Sequence, residues 1–161
     1  MRSRAGWAER QLWLGEAYRR AGGAAGDYAQ AVRWFARAAE NGDNDARVLL
    51  GVHAFLGVGM KRNDAMAAAL FRRAAKAGNP CALQNLSLCY EHGMGVRRNE
   101  ARALQLSRSA LEKGLASACG GAMGAEARAW ATKMAAERGL PAPVLPALWP
   151  QCRWRPLNCG A

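Results

Sequence analysis

Long hydrophobic runs and β-branched residues are what this sequence has least of. No apolar stretch reaches the roughly 20 residues that a membrane-spanning helix needs, and the 161 residues include no isoleucine and one threonine. Alanine, by contrast, occurs 36 times. Because alanine favours helices and β-branched residues favour strands, the composition predicts an all-helical chain. Five cysteines are too few for a small scaffold built on disulfides.

Acidic residues are also scarce, with 12 Asp and Glu against 23 Lys and Arg, which gives a net charge of +11. A chain this basic can bind nucleic acid, acidic proteins or anionic membranes. Apolar residues make up 51% of the chain, enough for a core, and charged residues 22%, which argues against wholesale disorder. Residues 1–15 lack the apolar region of a secretory signal. Together with the few cysteines, this predicts a cytoplasmic protein.

The sequence repeats itself every 36 residues, and alanines and leucines mark the period: Ala46, Ala82 and Ala118, and Leu14, Leu50 and Leu86. Three copies follow, at 10–45, 46–81 and 82–117. In the second copy we expect helix A near 44–56, ended by Gly57, and helix B near 64–77. A lone helix pair cannot bury its apolar face, whereas stacked pairs can. The predicted fold is therefore an all-α, right-handed α/α superhelical solenoid.

The repeated residues resemble the Sel1-like repeat family of tetratricopeptide-type helix pairs, whose pattern begins A-x3-L-G-x2-Y-x2-G-x-G-V. The third copy matches it at Ala82, Leu86, Tyr90, Gly93, Gly95, Val96, Ala103, Ala110 and Gly114. Two local departures are Ala54, where the pattern has Tyr, and Ser87, where it has Gly. The resemblance implies a bacterial adaptor or scaffold.

The chain beyond the third copy predicts a cap and a tail. Residues about 122–138 are expected to form a capping helix with Trp130 and Met134 facing the third repeat, which completes a solenoid domain at 1–139. The tail, 140–161, holds five of the six prolines, which excludes a long helix. We expect it to be disordered or docked on the solenoid through apolar residues, with disorder favoured.

Candidate catalytic and metal-binding residues are few. Cys89 and His92 form an i, i+3 pair, but a nucleophilic pair needs a third group to orient the base, and no Asp or Asn has that spacing. Metal-ligand spacings such as CxxC are also absent. His53 and His92 are therefore expected to be ordinary helix-surface residues, and Cys81, Cys89 and Cys119 to be thiols. We predict no catalytic residue, no cofactor and no metal site.

Basic residues recur in the turns of the second and third copies, as Lys61, Arg62, Arg97 and Arg98. We call this set the basic edge, because stacked repeats would place it along one side. It could bind an acidic partner, nucleic acid or an anionic surface. The favoured interpretation is a set of solvated positions, since most charge runs are solvated faces. Aromatic residues interleave with basic ones only at 153–155, which weakens the case for nucleic acid.

The resemblance implies that the A helices line a concave groove. We call the helix A positions that are not needed for packing inside a repeat the predicted groove: Leu12, Glu16, Arg19, Arg20, Val48, Val52, Phe55, Leu56, Gln84, Leu88, Glu91 and His92. Its centre is apolar and its ends are polar, as expected of a surface that holds a peptide or a helix. An equally weighted alternative is that these side chains pack between helices or under the tail.

The predicted function is a non-catalytic interaction module, a monomer that holds a protein or peptide partner in the groove. The positive charge favours an acidic partner. The second hypothesis is a nucleic-acid or anionic-surface binder that uses the basic edge. The third is a hydrolase of the β-lactamase-like type described for some relatives. It ranks last because no nucleophile and base have the required spacing.

Overall fold

The computed structural model of the protein describes residues 4–21, 25–115 and 122–146. The described residues form seven helices and no strand, which confirms the all-α prediction. In chain order the helices are α1 (Arg4–Ala21), α2 (Ala25–Glu40), α3 (Asn44–Leu56), α4 (Asp64–Lys76), α5 (Pro80–His92), α6 (Glu100–Glu112) and α7 (Ala122–Glu137). None of them is long and apolar enough to cross a bilayer.

The first six helices form three pairs that stack in sequence order. The most extensive contacts are those within the pairs α1–α2, α3–α4 and α5–α6, and the contacts of α2 with α3 and of α4 with α5 come next. Each pair therefore packs on its neighbours along the chain, as in a solenoid. The A helices are α1, α3 and α5, and the B helices are α2, α4 and α6.

Short polar side chains and left-handed glycines set the helix boundaries. An Asn or Asp precedes each of four helices and accepts a hydrogen bond from a backbone N–H in the first turn: Asp43, Asn63, Asn79 and Asn99. This is the usual role of an N-cap residue. Gly57 ends α3 with φ 68°, a conformation that residues with a Cβ rarely adopt. The boundaries of α3 and α4 thus fall where the sequence predicts them, to within one residue.

Glycines in the A helices make room for phenylalanine rings from the B helices. A methyl group on Gly15 would lie 2.5 Å from the Cε1 atom of Phe35, and one on Gly51 would lie 2.6 Å from the Cε1 atom of Phe71. Both rings are fully buried. The helices of the first two repeats therefore pack more closely than any residue with a side chain would allow at these glycines.

The third repeat replaces this pair with two serines. Ser87 stands at the glycine position and Ser107 at the phenylalanine position. The Ser87 hydroxyl donates a hydrogen bond to the Ala103 carbonyl at 2.7 Å, so its polar group is satisfied although it is buried. The departure from the family pattern at Ser87 is therefore matched by the smaller residue opposite it.

Turn glycines connect successive repeats. Gly59 has a φ of 75°, and a Cβ there would collide with the Tyr28 carbonyl of the preceding repeat. Gly95 makes the same approach to the Asp64 carbonyl, with φ 69°. Glycine is required at both places because the backbones touch and the conformation is left-handed. The turns after α3 and α5 thus rest on the start of the previous B helix.

Helix α7 packs on the first two repeats through Trp130, and the prediction that Trp130 faces the third repeat is wrong. Its indole Nε1 donates a hydrogen bond to the Tyr28 hydroxyl at 3.1 Å, and its ring centre lies 5.3 Å from that of His53. The Arg19 guanidinium lies 4.8 Å from the ring centre. These groups offer the indole a hydrogen-bond acceptor, an aromatic neighbour and a cation together. The chain has therefore returned towards the start of the array.

Residues 140–146 follow α7 as an extended segment that docks on α5. Leu145 is fully buried, Pro143 and Pro146 are buried, and the Val144 main chain is hydrogen-bonded to the Asn85 side chain. We call these seven residues the docked segment. The rest of the predicted tail, 147–161, lies outside the described residues.

The two cysteines on α5 differ in state. Cys89 is buried and is a free thiol, as predicted. Cys81 is disulfide-bonded, so the prediction of a Cys81 thiol is wrong. A disulfide joins residues that the fold brings together, and the spacing of cysteines along the sequence does not reveal it. The cysteine-based argument for a reducing compartment is weakened accordingly. Cys119 also lies outside the described residues.

Candidate functional site

The predicted groove is buried in the first two repeats and open in the third. Its buried members are Leu12, Glu16, Arg19, Val48, Val52, Phe55 and Leu56. Gln84 and Leu88 are half-buried, whereas Arg20, Glu91 and His92 are exposed. The accessible part of the predicted groove is therefore the C-terminal end of α5, together with Arg20 on α1.

A buried ion pair holds the α1 end of this surface. The Arg19 guanidinium donates to both carboxylate oxygens of Glu16, from Nε to Oε1 at 2.5 Å and from Nη2 to Oε2 at 2.8 Å. The face of Arg19 lies over the Trp130 ring. Charges this deeply buried are tolerated only when they are paired. Two residues predicted to form a polar rim for a partner thus hold the chain's own helix α7.

His53 is fully buried at the junction of the first two repeats, and its prediction as a helix-surface residue is wrong. Its ring lies among the rings of Tyr28, Phe35 and Trp130, at centre distances of 6.4, 5.4 and 5.3 Å. Helix α7 supplies the third of these rings, which the 36-residue period does not foretell. The burial of the equivalent Cys89 is a further sign that this position faces inward.

His53 is a neutral ring whose tautomer is set by one hydrogen bond. Nδ1 lies 2.9 Å from the Val58 carbonyl, which can only accept, so Nδ1 carries the proton. Nε2 has no hydrogen-bond partner among the described residues. Desolvation lowers the pKa of His53 to about 4, and the positive charge of Arg19 acts in the same direction. The ring is therefore uncharged near neutral pH.

The pair Cys89 and His92 does not form a nucleophile and base. Cys89 is buried, and desolvation, with the negative charge of Asp64, raises the pKa of its thiol to about 12. The thiolate, which is the reactive form, is therefore suppressed. His92 lies on the exposed end of α5. Within the described ranges, no group of three His, Cys, Asp or Glu side chains could hold a metal ion.

Asn85 on α5 binds the main chain of the docked segment through its side-chain amide, and the sequence analysis did not predict this contact. Its side-chain amide is buried, and it binds both main-chain groups of Val144. Nδ2 donates to the Val144 carbonyl at 2.6 Å, and the Val144 N–H donates to Oδ1 at 2.7 Å. The signal was present in the repeat alignment, because the equivalent residues are the apolar Trp13 and Leu49.

The basic edge carries less free charge than its sequence indicates. Arg62 donates to both carboxylate oxygens of Asp64, at 3.0 and 3.0 Å. Arg98 donates from Nη2 to one carboxylate oxygen of Glu100, two residues further on. Lys61 and Arg97 are exposed. Half of the four cations thus have a carboxylate of their own.

Comparisons with known proteins agree with this architecture. A family model described as Sel1 repeat matches residues 11–43, 44–79 and 82–115. A solved Sel1 repeat protein from Oxalobacter formigenes is 30% identical with a TM-score of 0.58, and the match covers 66% of this chain and 80% of that one. The structure of c5321, a protective antigen of uropathogenic Escherichia coli with an SLR fold, is 29% identical with a TM-score of 0.59. That match covers 80% of this chain but 30% of the antigen. No curated protein matches the chain.

Proposed function

The chain belongs to the Sel1 repeat family, and from this premise we propose that it is a non-catalytic interaction module that binds a partner protein or peptide on its A-helix face. Sel1 repeat proteins are generally protein-interaction scaffolds. By A-helix face we mean the surface of α1, α3 and α5 on which the predicted groove lies. Solenoids of this kind present an extended surface to their partners.

The observation that supports the proposal is that this face already holds polypeptide. Helix α7 is held by Trp130 against α1, α2 and α3, and the docked segment is held by Asn85 on α5. The face thus offers contacts for a helix at one end and for an extended strand at the other. Binding of a helix and binding of an extended segment are among the recurring modes by which proteins recognise peptides.

The accessible end of the face has the polar character of an interface rim. Glu91 and His92 are exposed there. Beside them lies a cleft of about 410 Å³, lined by residues of α5, of α6 and of the turn between them, which include Gln84, Glu91 and Arg98. The excess of positive charge over the whole chain favours an acidic partner.

Site-specific photo-crosslinking tests the proposal. A photoreactive phenylalanine analogue replaces Glu91 or His92 in one set of full-length variants and Arg72 or Arg108 in a control set. All four positions are exposed, but the controls lie on the B helices α4 and α6. Each variant is irradiated in an extract of the source cells, and the adducts are identified by mass spectrometry.

We expect the same partner protein at positions 91 and 92 and its absence at positions 72 and 108. Excess unlabelled wild-type chain should compete the adduct away. A partner that is recovered only from the B-helix positions would move the binding surface to the other side of the solenoid. Equal recovery from all four positions would indicate non-specific capture, and the proposal would fail.

A further inference from the structure

Asparagine at position 85 is unfavourable for the stability of the fold unless its side-chain amide is hydrogen-bonded. Its two hydrogen bonds to Val144 meet that need. It lies inside α5, where asparagine is a poor helix former. It is also buried, and an amide that is buried without partners costs free energy. The equivalent Trp13 and Leu49 show that the packing of a repeat does not require a polar group there. Its polar atoms form their hydrogen bonds with the main chain of the docked segment.

The geometry of this contact is that of main-chain recognition. Asn85 accepts from the N–H and donates to the C=O of one residue, Val144, as a neighbouring β-strand would. Such a contact accepts any extended residue that has an N–H. Asn85 therefore recognises an extended backbone, whatever the side chain. The residues that flank Val144 determine which side chains the site prefers.

The positions on either side of Val144 define that preference. Leu145 is fully buried, and Pro143 and Pro146 are buried as well. Prolines hold a peptide in an extended, polyproline-like conformation before it binds, which reduces the entropy lost on binding. The site thus fits an aliphatic dipeptide with proline on both sides.

We infer that Asn85 and the surface of α5 around it form a subsite for an extended, proline-flanked aliphatic peptide, which the docked segment occupies until a partner of the same chemistry displaces it. The inference deepens the proposed function by naming the class of partner, and it rests on that proposal for the existence of a cellular partner. The subsite itself is testable with a peptide alone.

Because the docked segment occupies the subsite, a partner peptide must compete with it in order to bind. A tethered segment competes at an effective concentration in the millimolar range for a short linker, so a free peptide must be abundant or tighter to displace it. Weakening the docked segment should therefore expose the subsite. Val144→Pro does so with the least change, because proline lacks the N–H that Asn85 binds. Val144→Ala keeps that N–H and serves as the matched control.

The probe is a fluorescent peptide with the sequence of residues 140–146, Leu-Pro-Ala-Pro-Val-Leu-Pro, and its binding to full-length chains is measured by anisotropy. We expect Val144→Pro to bind it about tenfold more tightly than either the wild type or Val144→Ala, as the loss of a buried hydrogen bond implies. Adding Asn85→Leu, the residue of the second repeat, should abolish the gain. A peptide N-methylated at its valine should not bind.

Three results would overturn the inference. They are no binding to Val144→Pro, equal binding with and without Asn85→Leu, and an equal gain in Val144→Ala. A second measurement uses the unmodified chain, in case the Val144→Pro variant does not fold. Excess peptide should remove the hydrogen-exchange protection of the Val144 amide, which Asn85 binds, and unchanged protection would contradict displacement. If the wild type instead forms dimers through the docked segment, the subsite binds a second copy of the chain. That result would contradict a separate partner.

The outcomes separate this inference from the proposed function. If the peptide binds Val144→Pro but no partner is crosslinked at positions 91 and 92, the subsite stands and the proposed function fails. If a partner is crosslinked there but the peptide does not bind, the partner uses other contacts and only the present inference fails.

Discussion

Single residues on facing helices are coupled in this fold. Phe35 and Phe71 each face a glycine, whereas the third repeat has serines on both sides, Ser87 and Ser107. A ring and a side chain cannot share this space, so a change on one helix requires a change on the other. A single sequence predicts the small residue from its repetition, but it does not reveal which ring that residue faces.

Gly51→Ala tests this coupling. The new methyl group would lie 2.6 Å from the Phe71 ring, so we expect the free energy of unfolding to fall by about 1–3 kcal/mol. Urea denaturation of the full chain measures it. Gly51→Ala combined with Phe71→Leu should recover part of the loss. Ser87→Ala, which creates no clash, should cost about 1 kcal/mol for its hydrogen bond. Gly51→Ala with wild-type stability would show that the ring has room to move.

His53 makes the stability depend on pH. Its pKa in the fold, about 4, lies below the ordinary value of 6.5. Between these two pH values the imidazole is protonated in the unfolded chain and neutral in the folded one. The stability is therefore complete above pH 6.5 and falls as the pH drops from 6.5 to 4, by on the order of 3 kcal/mol. Urea titrations across this range measure the slope.

The matched control for His53 is His53→Gln, an uncharged side chain of similar length. Asp43 and Asp45, whose pKa values are raised mainly by burial, remain in both proteins. The difference between the two pH profiles is therefore due to position 53. Parallel profiles for the wild type and His53→Gln would contradict a neutral, buried imidazole.

At the scale of the elements, the sequence predicted the helices well and the position of one of them badly. Asn63 and Gly57 signal their helix ends locally, because a cap acts on the backbone within a few residues. Trp130 finds its partner Tyr28 102 residues away. Nothing in the local pattern around Trp130 carries that information, so the helix was predictable and its docking site was not.

Trp130→Ala should release α7 from the first two repeats. It removes the hydrogen bond to Tyr28, the contact with His53 and the stacking on Arg19, and we expect a loss of about 3 kcal/mol. Hydrogen exchange should show lost protection in α7, while α3 and α4 keep theirs. The pKa of His53 should rise towards 6.5 as water reaches the ring, which NMR titration detects.

Lys133→Ala is the control on the same helix, since Lys133 is exposed. It should leave both the protection of α7 and the pKa of His53 unchanged. If Trp130→Ala behaves like Lys133→Ala, other residues hold α7 in place.

For the whole molecule, the net charge of +11 is a weaker guide to nucleic acid than it first suggests. Arg62 and Arg98 are each paired, whereas Lys61 and Arg97 are exposed and have no carboxylate partner within the described part of the chain. We expect at most two phosphate contacts there, and a slope of log K against log salt of about −1 to −2 for single-stranded RNA. Filter binding at several salt concentrations measures it, with Lys61→Ala and Arg97→Ala combined as the control. A slope of about −5 or steeper would restore the basic edge as a nucleic-acid interface.

The site was predictable only in outline. The repeat period indicated which residues of the A helices face one side, and Glu91 and His92 are indeed exposed there. The burial of Phe55 and Val52 agrees with the equally weighted alternative, in which these side chains pack inside the protein. The repeat pattern could not decide between the two because it does not show that α3 is buried along nearly its whole length. Asn85 was overlooked because a search for catalytic and charged groups passes over a neutral amide.

The return of the chain along its own array has a kinetic consequence. A solenoid whose units touch only their neighbours can fray from either end, one repeat at a time. Here Arg20 pairs with Glu126 across 106 positions, and Asn85 with Val144 across 59. These contacts tie the first and last repeats to one closing segment, at the cost of long loops that must close late. Unfolding should therefore be a single cooperative transition, and refolding should be slower than in an open array of three helix pairs.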